Sequence, residues 1–374
     1  MTLTWLRMSH PARTVIGAVL AAAVTVATAL MPGVVTSKAL AASMPSNYTY
    51  SIYVNSTSGS DANTAGCNLA DKVNSGSRPL NSFVILDFGT PYLNGSTWGT
   101  TLLGGTGQFV STTFISDVTE DFGQGYQNCL TNGSASLRVA PGENDAASPI
   151  DGKHYFTGSN GTAWGGLVVS VNNWFAAHGD ANVTSAAGVD VEPDWYSPAT
   201  PLLWGSYFSS ASGAYAYYDF GSADGCPSGN GQYTDIGCDN GWNQYDLWDM
   251  SWGIGAAWPA PEDYNDYYLT DAAQTGNVDP QSRQWENISR YGYHYQNTEP
   301  IAVQTVVTQW EACHQVNLPD DGSNTNSCYS KGTNNTPAQG DGDMFNALNY
   351  DWAPSETGQS ISWLTDMEWG YTYS

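Results

Sequence analysis

Basic residues are scarce in this chain: 10 Lys and Arg stand against 35 Asp and Glu in 374 residues, for a formal net charge of −25. A surface so acidic repels nucleic acid and anionic membranes and argues against both as partners. Familiar catalytic and metal motifs are missing too. There is no Cys-x-x-Cys pair, no His-Glu-x-x-His, no Gly-x-Ser-x-Gly elbow and no Walker loop, and His154, His178, His294 and His314 follow no ligand spacing. No Gly-x-Gly-x-x-Gly turn follows the first apolar run, which lowers the case for a dinucleotide site on an open doubly wound sheet. Internal repeats and long low-complexity tracts are absent, so one catalytic domain is the simplest organisation. Beyond residue 41 no run approaches the roughly 18 apolar residues of a membrane span.

The first 41 residues have the pattern of a secretory signal: Arg7 and Arg13, an apolar run from Val15 to Leu30, and a small-residue site at Ala39-Leu40-Ala41. Read as an uncleaved anchor, the run would have to tolerate Thr25, Thr28 and Pro32. The leader holds Arg7, Arg13 and Lys38 but no acid, so the exported part is more acidic still. All 6 cysteines lie beyond the leader, and an even count in an exported chain implies three disulfides. Neighbours along the chain make Cys226 with Cys238 and Cys313 with Cys328 the natural pairs, leaving Cys67 for Cys129. The expectation is a secreted monomer: signal peptide 1–41, an irregular Ser/Asn/Thr/Gly-rich lead-in or small strand cap at 42–79, and one barrel domain at 80–374.

From Phe83 onward, short apolar runs ending in an acid and a Gly or Pro alternate with longer stretches of helical character. Candidate strands are 83–89, 137–142, 188–192, 214–221, 246–253, 301–308 and 361–369, with an eighth at 107–113 or 287–293. Candidate helices are 115–131, 162–178, 200–211, 262–274 and 337–349. This alternation predicts an α/β fold, a (β/α)8 TIM-like barrel with disulfide-stapled loops.

Barrel active sites form at the carboxyl ends of the strands. Those ends carry Asp87, Asp190 with Glu192, Asp219, Asp249, and Asp366 with Glu368. In a strand, i and i+2 share a face, so Asp190 and Glu192 project together, and parity is read as aiming Asp219 and Asp249 inward. Glycoside cleavage needs one carboxylic acid and one carboxylate. Glu192 is the expected acid, Asp190 its partner, and Glu368 the leading second carboxylate, with Asp249 and Asp366 as alternatives. Asp87, Asp219, Asp366, Trp195, Trp252 and Trp369 are the candidate substrate contacts, since indoles stack on sugar rings and their N–H groups bond hydroxyls. Arg138 is expected inside the barrel beside Asp87 or Asp190, with Glu143 or Asn144 at the rim. Asp341-Gly-Asp343 and Asp320-Asp321-Gly322 resemble calcium-loop fragments, but neither completes an EF-hand. No metal ligand and no cofactor is assigned.

Gly188-Val-Asp-Val-Glu192 resembles the end of the acid-bearing barrel strand of family 18 glycoside hydrolases, the chitinases and endo-N-acetylglucosaminidases, whose pattern is Asp-x-x-Asp-x-Asp-x-Glu. Aligned on Glu192, this chain keeps Asp190 and has Gly188 and Ser185 in place of the two earlier acids. The resemblance covers under ten residues. It implies that Glu192 is the acid and that Asp190 helps a substrate acetamido group act as nucleophile. The expected activity is extracellular carbohydrate hydrolysis. The alternatives are a non-catalytic carbohydrate-binding barrel lacking one carboxylate and a secreted structural or adhesive domain.

Overall fold

A computed structural model describes residues 48–103, 107–264, 279–319, 326–351 and 353–371. The leader, most of the helix expected at 262–274, and Asp320-Asp321-Gly322 lie outside these residues. Twelve strands and ten α-helices run through the described chain in the order β1 (Tyr48–Tyr53), α1 (Gly59–Asn74), β2 (Asn81–Asp87), β3 (Thr90–Asn94), β4 (Thr97–Thr101), β5 (Phe109–Ser111), α2 (Thr112–Cys129), β6 (Ser136–Asn144), α3 (Gly158–His178), β7 (Val183–Ser185) and β8 (Ala187–Asp190). Then follow α4 (Ala199–Ser212), β9 (Tyr217–Asp219), α5 (Gln244–Trp248), β10 (Ala257–Pro259), α6 (Pro280–Tyr295), β11 (Thr305–Thr308), α7 (Trp310–Gln315), α8 (Cys328–Lys331), α9 (Pro337–Asn349), α10 (Pro354–Thr357) and β12 (Trp363–Trp369).

The main sheet is parallel, in the order β10-β9-β8-β6-β2-β1-β12-β11. Its two ends meet: Val307 N–H donates to Pro261 C=O at 3.0 Å and Asp263 N–H to Val307 C=O at 2.9 Å. Strands β7 and β8 follow one register along β6, so they fill a single place in the ring. The result is the expected eight-position α/β barrel. Antiparallel β3, β4 and β5 form a separate small sheet after β2.

Alternation along each strand divides the core in two. Phe83, Ile85, Ala140, Ala186, Tyr218, Phe220, Ala260, Val307 and Met367 fill the lumen, while Val84, Leu86, Val139, Val189, Tyr217, Val306 and Leu364 pack against the helices. Both faces are therefore buried. Gly142 and Gly188 are paired across β6 and β8, and a Cβ on either would approach Ile85 Cγ2 at 3.0 or 3.2 Å. Their missing side chains let Ile85 and Phe220 close the lumen beneath the mouth, which explains glycine at a position where the family 18 strand carries an acid.

Residues 48–74 depart from the irregular lead-in read from sequence: they supply the barrel's first strand and helix. Tyr48-Thr-Tyr-Ser-Ile-Tyr53 is too polar to stand out as an apolar run, yet its hydroxyls are used internally. Ser51 Oγ bonds Thr365 Oγ1 at 2.8 Å and accepts from Ile85 N–H at 2.8 Å, so buried polar atoms are satisfied. The strand expected at 246–253 is instead α5 followed by a π turn, Asp249–Gly253, and the sixth barrel strand lies just downstream at β10. Of the two places proposed for an eighth strand, 109–111 belongs to the small sheet and 287–293 to α6. Helix α9 has the residues read from sequence, with Pro337 at its start and a Thr336–Gln339 capping box.

All three expected disulfides are present: Cys67–Cys129, Cys226–Cys238 and Cys313–Cys328. The first joins α1 to α2, whose backbones approach closely where a Cβ on Gly66 would lie 2.0 Å from Phe122 O. The second closes a loop at the barrel mouth.

Candidate functional site

Three carboxyl groups converge at the carboxyl ends of β8 and β10. Asp190, Glu192 and Glu262 each place a carboxylate oxygen within 4.8 Å of the others. Asp190 ends β8 on the lumen side, in step with Ala186 and Gly188. Glu192 follows, half-buried, before Pro193 removes a donor and ends the strand. Its backbone N–H donates to Asp145 Oδ1 at 3.3 Å, and its C=O accepts from Trp195 N–H at 3.0 Å. The turn is held from outside by Asn240, whose Nδ2 donates to Pro193 O and Asp194 O at 2.8 Å, and by Trp242 Nε1 donating to Tyr196 O at 2.6 Å.

Glu262 continues the lumen face of β10 after Trp258 and Ala260, bridged to Val307. The next residue, Asp263, turns outward and is locked by Asn335 Nδ2 at 2.8 Å and by the Ser282 hydroxyl. That lock fixes the backbone from which Glu262 projects. Sequence reading missed Glu262 because Ala257-Trp-Pro-Ala-Pro-Glu262 holds two prolines and reads as loop. Its signal was the same one used elsewhere, a short apolar run ending in an acid.

The mouth is strongly biased toward protonated carboxyls. Burial, then the charges of Asp224, Asp145 and Asp194, push Glu192 up to about 9. Burial followed by Glu192 raises both Asp190 and Glu262 well above the carboxylate range. Asp87, at the end of β2, is raised to about 7 by burial, against one hydrogen bond from Gly89 N–H at 2.8 Å. Asp145 is likewise raised by burial. Asp190 Oδ1, Glu262 Oε2, Asp87 Oδ2 and Asp145 Oδ2 are buried without a hydrogen-bond partner. Buried unpartnered oxygens are costly and rare, and they cluster where a ligand completes the shell.

The other expected site residues lie elsewhere, mostly for reasons of parity. Glu368 and Asp366 share the helix side of β12 with Leu364, whereas Met367 and Trp369 belong to the lumen. Glu368 is paired in register with outward Ile52, and its charge acts on Lys72 of α1. Asp366 caps α7, accepting from Trp310 N–H and Glu311 N–H at 2.9 Å and from the Thr308 hydroxyl at 2.7 Å. Asp219 shares the outward face of Tyr217 and accepts from Ser251 Oγ at 2.7 Å. Asp249 sits in the π turn rather than at a strand end, raised by burial to about 6. Trp252 packs edge-on to Trp258 in the same region. Trp195 is 37% exposed beside the trio, and Trp369 stacks at 4.7 Å on Tyr53 in the lumen cluster.

Arg138 enters the lumen as expected, but its partners are the Tyr218 hydroxyl and the rings of Tyr218 and Trp363, not Asp87 or Asp190. Asn144 reaches the mouth, accepting from Thr90 Oγ1 at 3.1 Å. Glu143 faces outward beneath the helices, bonded to Trp204 Nε1 at 2.9 Å and Asn160 Nδ2 at 3.1 Å.

These placements separate the mouth trio from acids that serve the fold. In Asp366→Ala the α7 cap is lost, and the expected cost is about 1 to 3 kcal/mol of stability. Glu368→Gln is expected to leave turnover per folded molecule within about twofold, since a buried group on the helix side, away from the trio, contributes little to the transition state. Chemical denaturation paired with kinetics on both variants checks this, and loss of turnover in Glu368→Gln at unchanged fold would return that residue to the site.

Chemically, the trio can supply a proton donor and a carboxylate to the same bond. An oxygen-only trio also has the composition of a hard-cation site, in which second carboxylate oxygens and water would complete the roughly six to eight ligands that calcium takes. No family model matches the sequence, and no curated protein matches it. Among solved structures the chain is similar to a beta-1,4-D-mannanase from Cryptopygus antarcticus, at 11% identity over 81% of this chain and 85% of that chain, with a TM-score of 0.30. A likeness at that score says nothing of this chain's chemistry.

Proposed function

We propose that this protein is a secreted glycoside hydrolase whose reacting groups are Glu192 and Glu262, with Asp190 between them. The observation that carries the reading is the approach of these carboxylate oxygens to within 4.8 Å at the mouth of a parallel barrel. Paired carboxyls about 5 to 5.5 Å apart serve retaining hydrolysis, whereas inversion needs about 6.5 to 9.5 Å to admit water between them. In this scheme the Glu192 O–H proton goes to the glycosidic oxygen as the C1–O bond breaks. A Glu262 oxygen bonds C1, and water then displaces it while Glu192 takes the water proton. Burial, the largest cause, still opposes ionisation of Glu262, and protonation of Glu192 removes the largest opposing charge.

The carbohydrate-binding alternative supposes a missing second carboxylate, and the nearness of Glu262 to Glu192 favours hydrolysis over it. Three disulfides fit an oxidising, extracellular setting. A monomer with a carbohydrate partner and neither nucleic acid nor membrane remains the expectation.

The test is release of reducing ends from chitin, peptidoglycan, β-glucan and α-glucan fragments, in EDTA, by the wild-type protein. Cleavage of at least one with retained anomeric configuration is expected. The rate should fall above about pH 9, where Glu192 loses its proton. Cleavage that needs added metal, or that inverts the anomeric centre, contradicts the scheme.

A further inference from the structure

Among the described residues no Lys or Arg forms an ion pair with a mouth acid. Beyond the leader there are seven Lys and Arg, all among the described residues. Lys72 lies on α1 near Glu368, Arg78 over the rings of Tyr48 and Tyr50, and Arg138 against Tyr218 and Trp363. Lys153 bonds Asp151 at 3.0 Å, Arg283 pairs with Glu286 and Asp351, Arg290 bonds Glu356 at 3.0 Å, and Lys331 ends α8. None appears among the charges acting on Asp190, Glu192 or Glu262.

A second ring of acids stands beside the trio. Asp224 acts on both Glu192 and Glu262, and Asp194 and Asp239 act on Asp224. The ring is built rather than incidental. Cys226–Cys238 closes the loop that carries Asp224, Asp239 N–H donates to Asp224 C=O at 3.2 Å, and Asn240 ties this loop to the Asp194 turn. In the adjoining trio Asp190 Oδ1 and Glu262 Oε2 are buried without a hydrogen-bond partner.

Resting on the glycosidase reading, we infer that the substrate is an amino-sugar polymer with unacetylated nitrogens, its ammonium groups held by Asp194, Asp224 and Asp239. An ammonium has three donors and no acceptor, which matches a lining of carboxyl oxygens. Uronate or sulfated glycans would bring like charge to a mouth with no cation. An unacetylated amine also lacks the acetamido oxygen required for substrate assistance, so attack at C1 falls to Glu262.

The experiment uses β-1,4-glucosamine and α-1,4-galactosamine polymers, each fully deacetylated and re-N-acetylated, with neutral β-glucan and α-glucan alongside. Electrostatic steering predicts a kcat/KM preference of about tenfold or more for a deacetylated polymer at low salt, collapsing toward unity at high ionic strength. Asp194→Asn/Asp239→Asn, on exposed side chains, should raise KM for that polymer several-fold more than KM for a neutral glycan. Glu192-dependent cleavage of neutral or acetylated glycans with no preference for the amine overturns the inference and leaves the glycosidase reading intact. Cleavage of no glycan, joined with salt-sensitive calorimetric binding of deacetylated oligomers, upholds amine recognition and overturns hydrolysis. Neither cleavage nor binding overturns both.

Discussion

Glu192→Gln is expected to lower kcat on a natural polymer by about 10²- to 10⁴-fold while the melting temperature stays close to that of the wild type, because general acid catalysis at a poor leaving group and the return of that residue as base are both lost. Gln keeps the size of the side chain and cannot donate an acidic proton. The loss should depend on the leaving group. On an aryl glycoside whose phenol departs unprotonated, bond cleavage needs no acid, and only deglycosylation stays slow, so a burst of phenol precedes a slow steady state. A uniform loss on both substrate types, with no burst, would assign Glu192 to binding rather than to proton transfer. The Asp145 contact to the Glu192 backbone N–H survives the substitution, so the turn itself is not at risk.

Stability should fall, not rise, as pH is raised from 5 to 8. Burial lifts Glu143 to about 8 and Asp87 and Asp219 to about 7 in the folded protein. In the unfolded chain the same groups ionise near 4. A carboxyl with a raised folded value binds its proton more tightly in the native state, so its stabilising contribution is complete below about pH 4 and is lost as pH climbs through about 7 to 8. Each such group changes stability by up to about 1.4 kcal/mol per pH unit within that window. Three groups acting together should make the melting temperature at pH 5 higher than at pH 8 by about 5 °C or more. Glu143→Gln should remove part of the slope, since its amide oxygen still accepts from Trp204 Nε1 but no longer titrates. A melting temperature that is flat or rises over this range would mean that these acids are ionised and compensated in the native state.

The barrel was legible where a strand announced itself by contiguous apolar residues, as in β2. It was hidden where hydroxyls or prolines replaced them: β1 satisfies its polar side chains across the lumen, and β10 is only three residues long, ends in Pro259 and is followed by Pro261. The error at 246–253 has a related cause, because Leu247, Trp248 and Met250 pack a short helical turn as readily as a strand. Site reading failed on a different point. Alternation separates the two faces of a barrel strand but does not say which one looks inward, since both are buried. Asp366 and Glu368 took the helix side, where α7's N-terminal amides and Lys72 receive their charge, and Asp219 took the side where Ser251 waits. That Asp190 and Glu192 project together was legible from their i, i+2 spacing at the end of an apolar strand.

The central claim is that Glu192 and Glu262 are the reacting pair, and a covalent intermediate is its most direct signature. Intact-mass measurement after rapid acid quench of Glu192→Gln with an aryl glycoside, followed by peptide mapping, should find one added glycosyl group, carried on Glu262. No adduct under burst conditions, or an adduct on any other residue, would contradict the account.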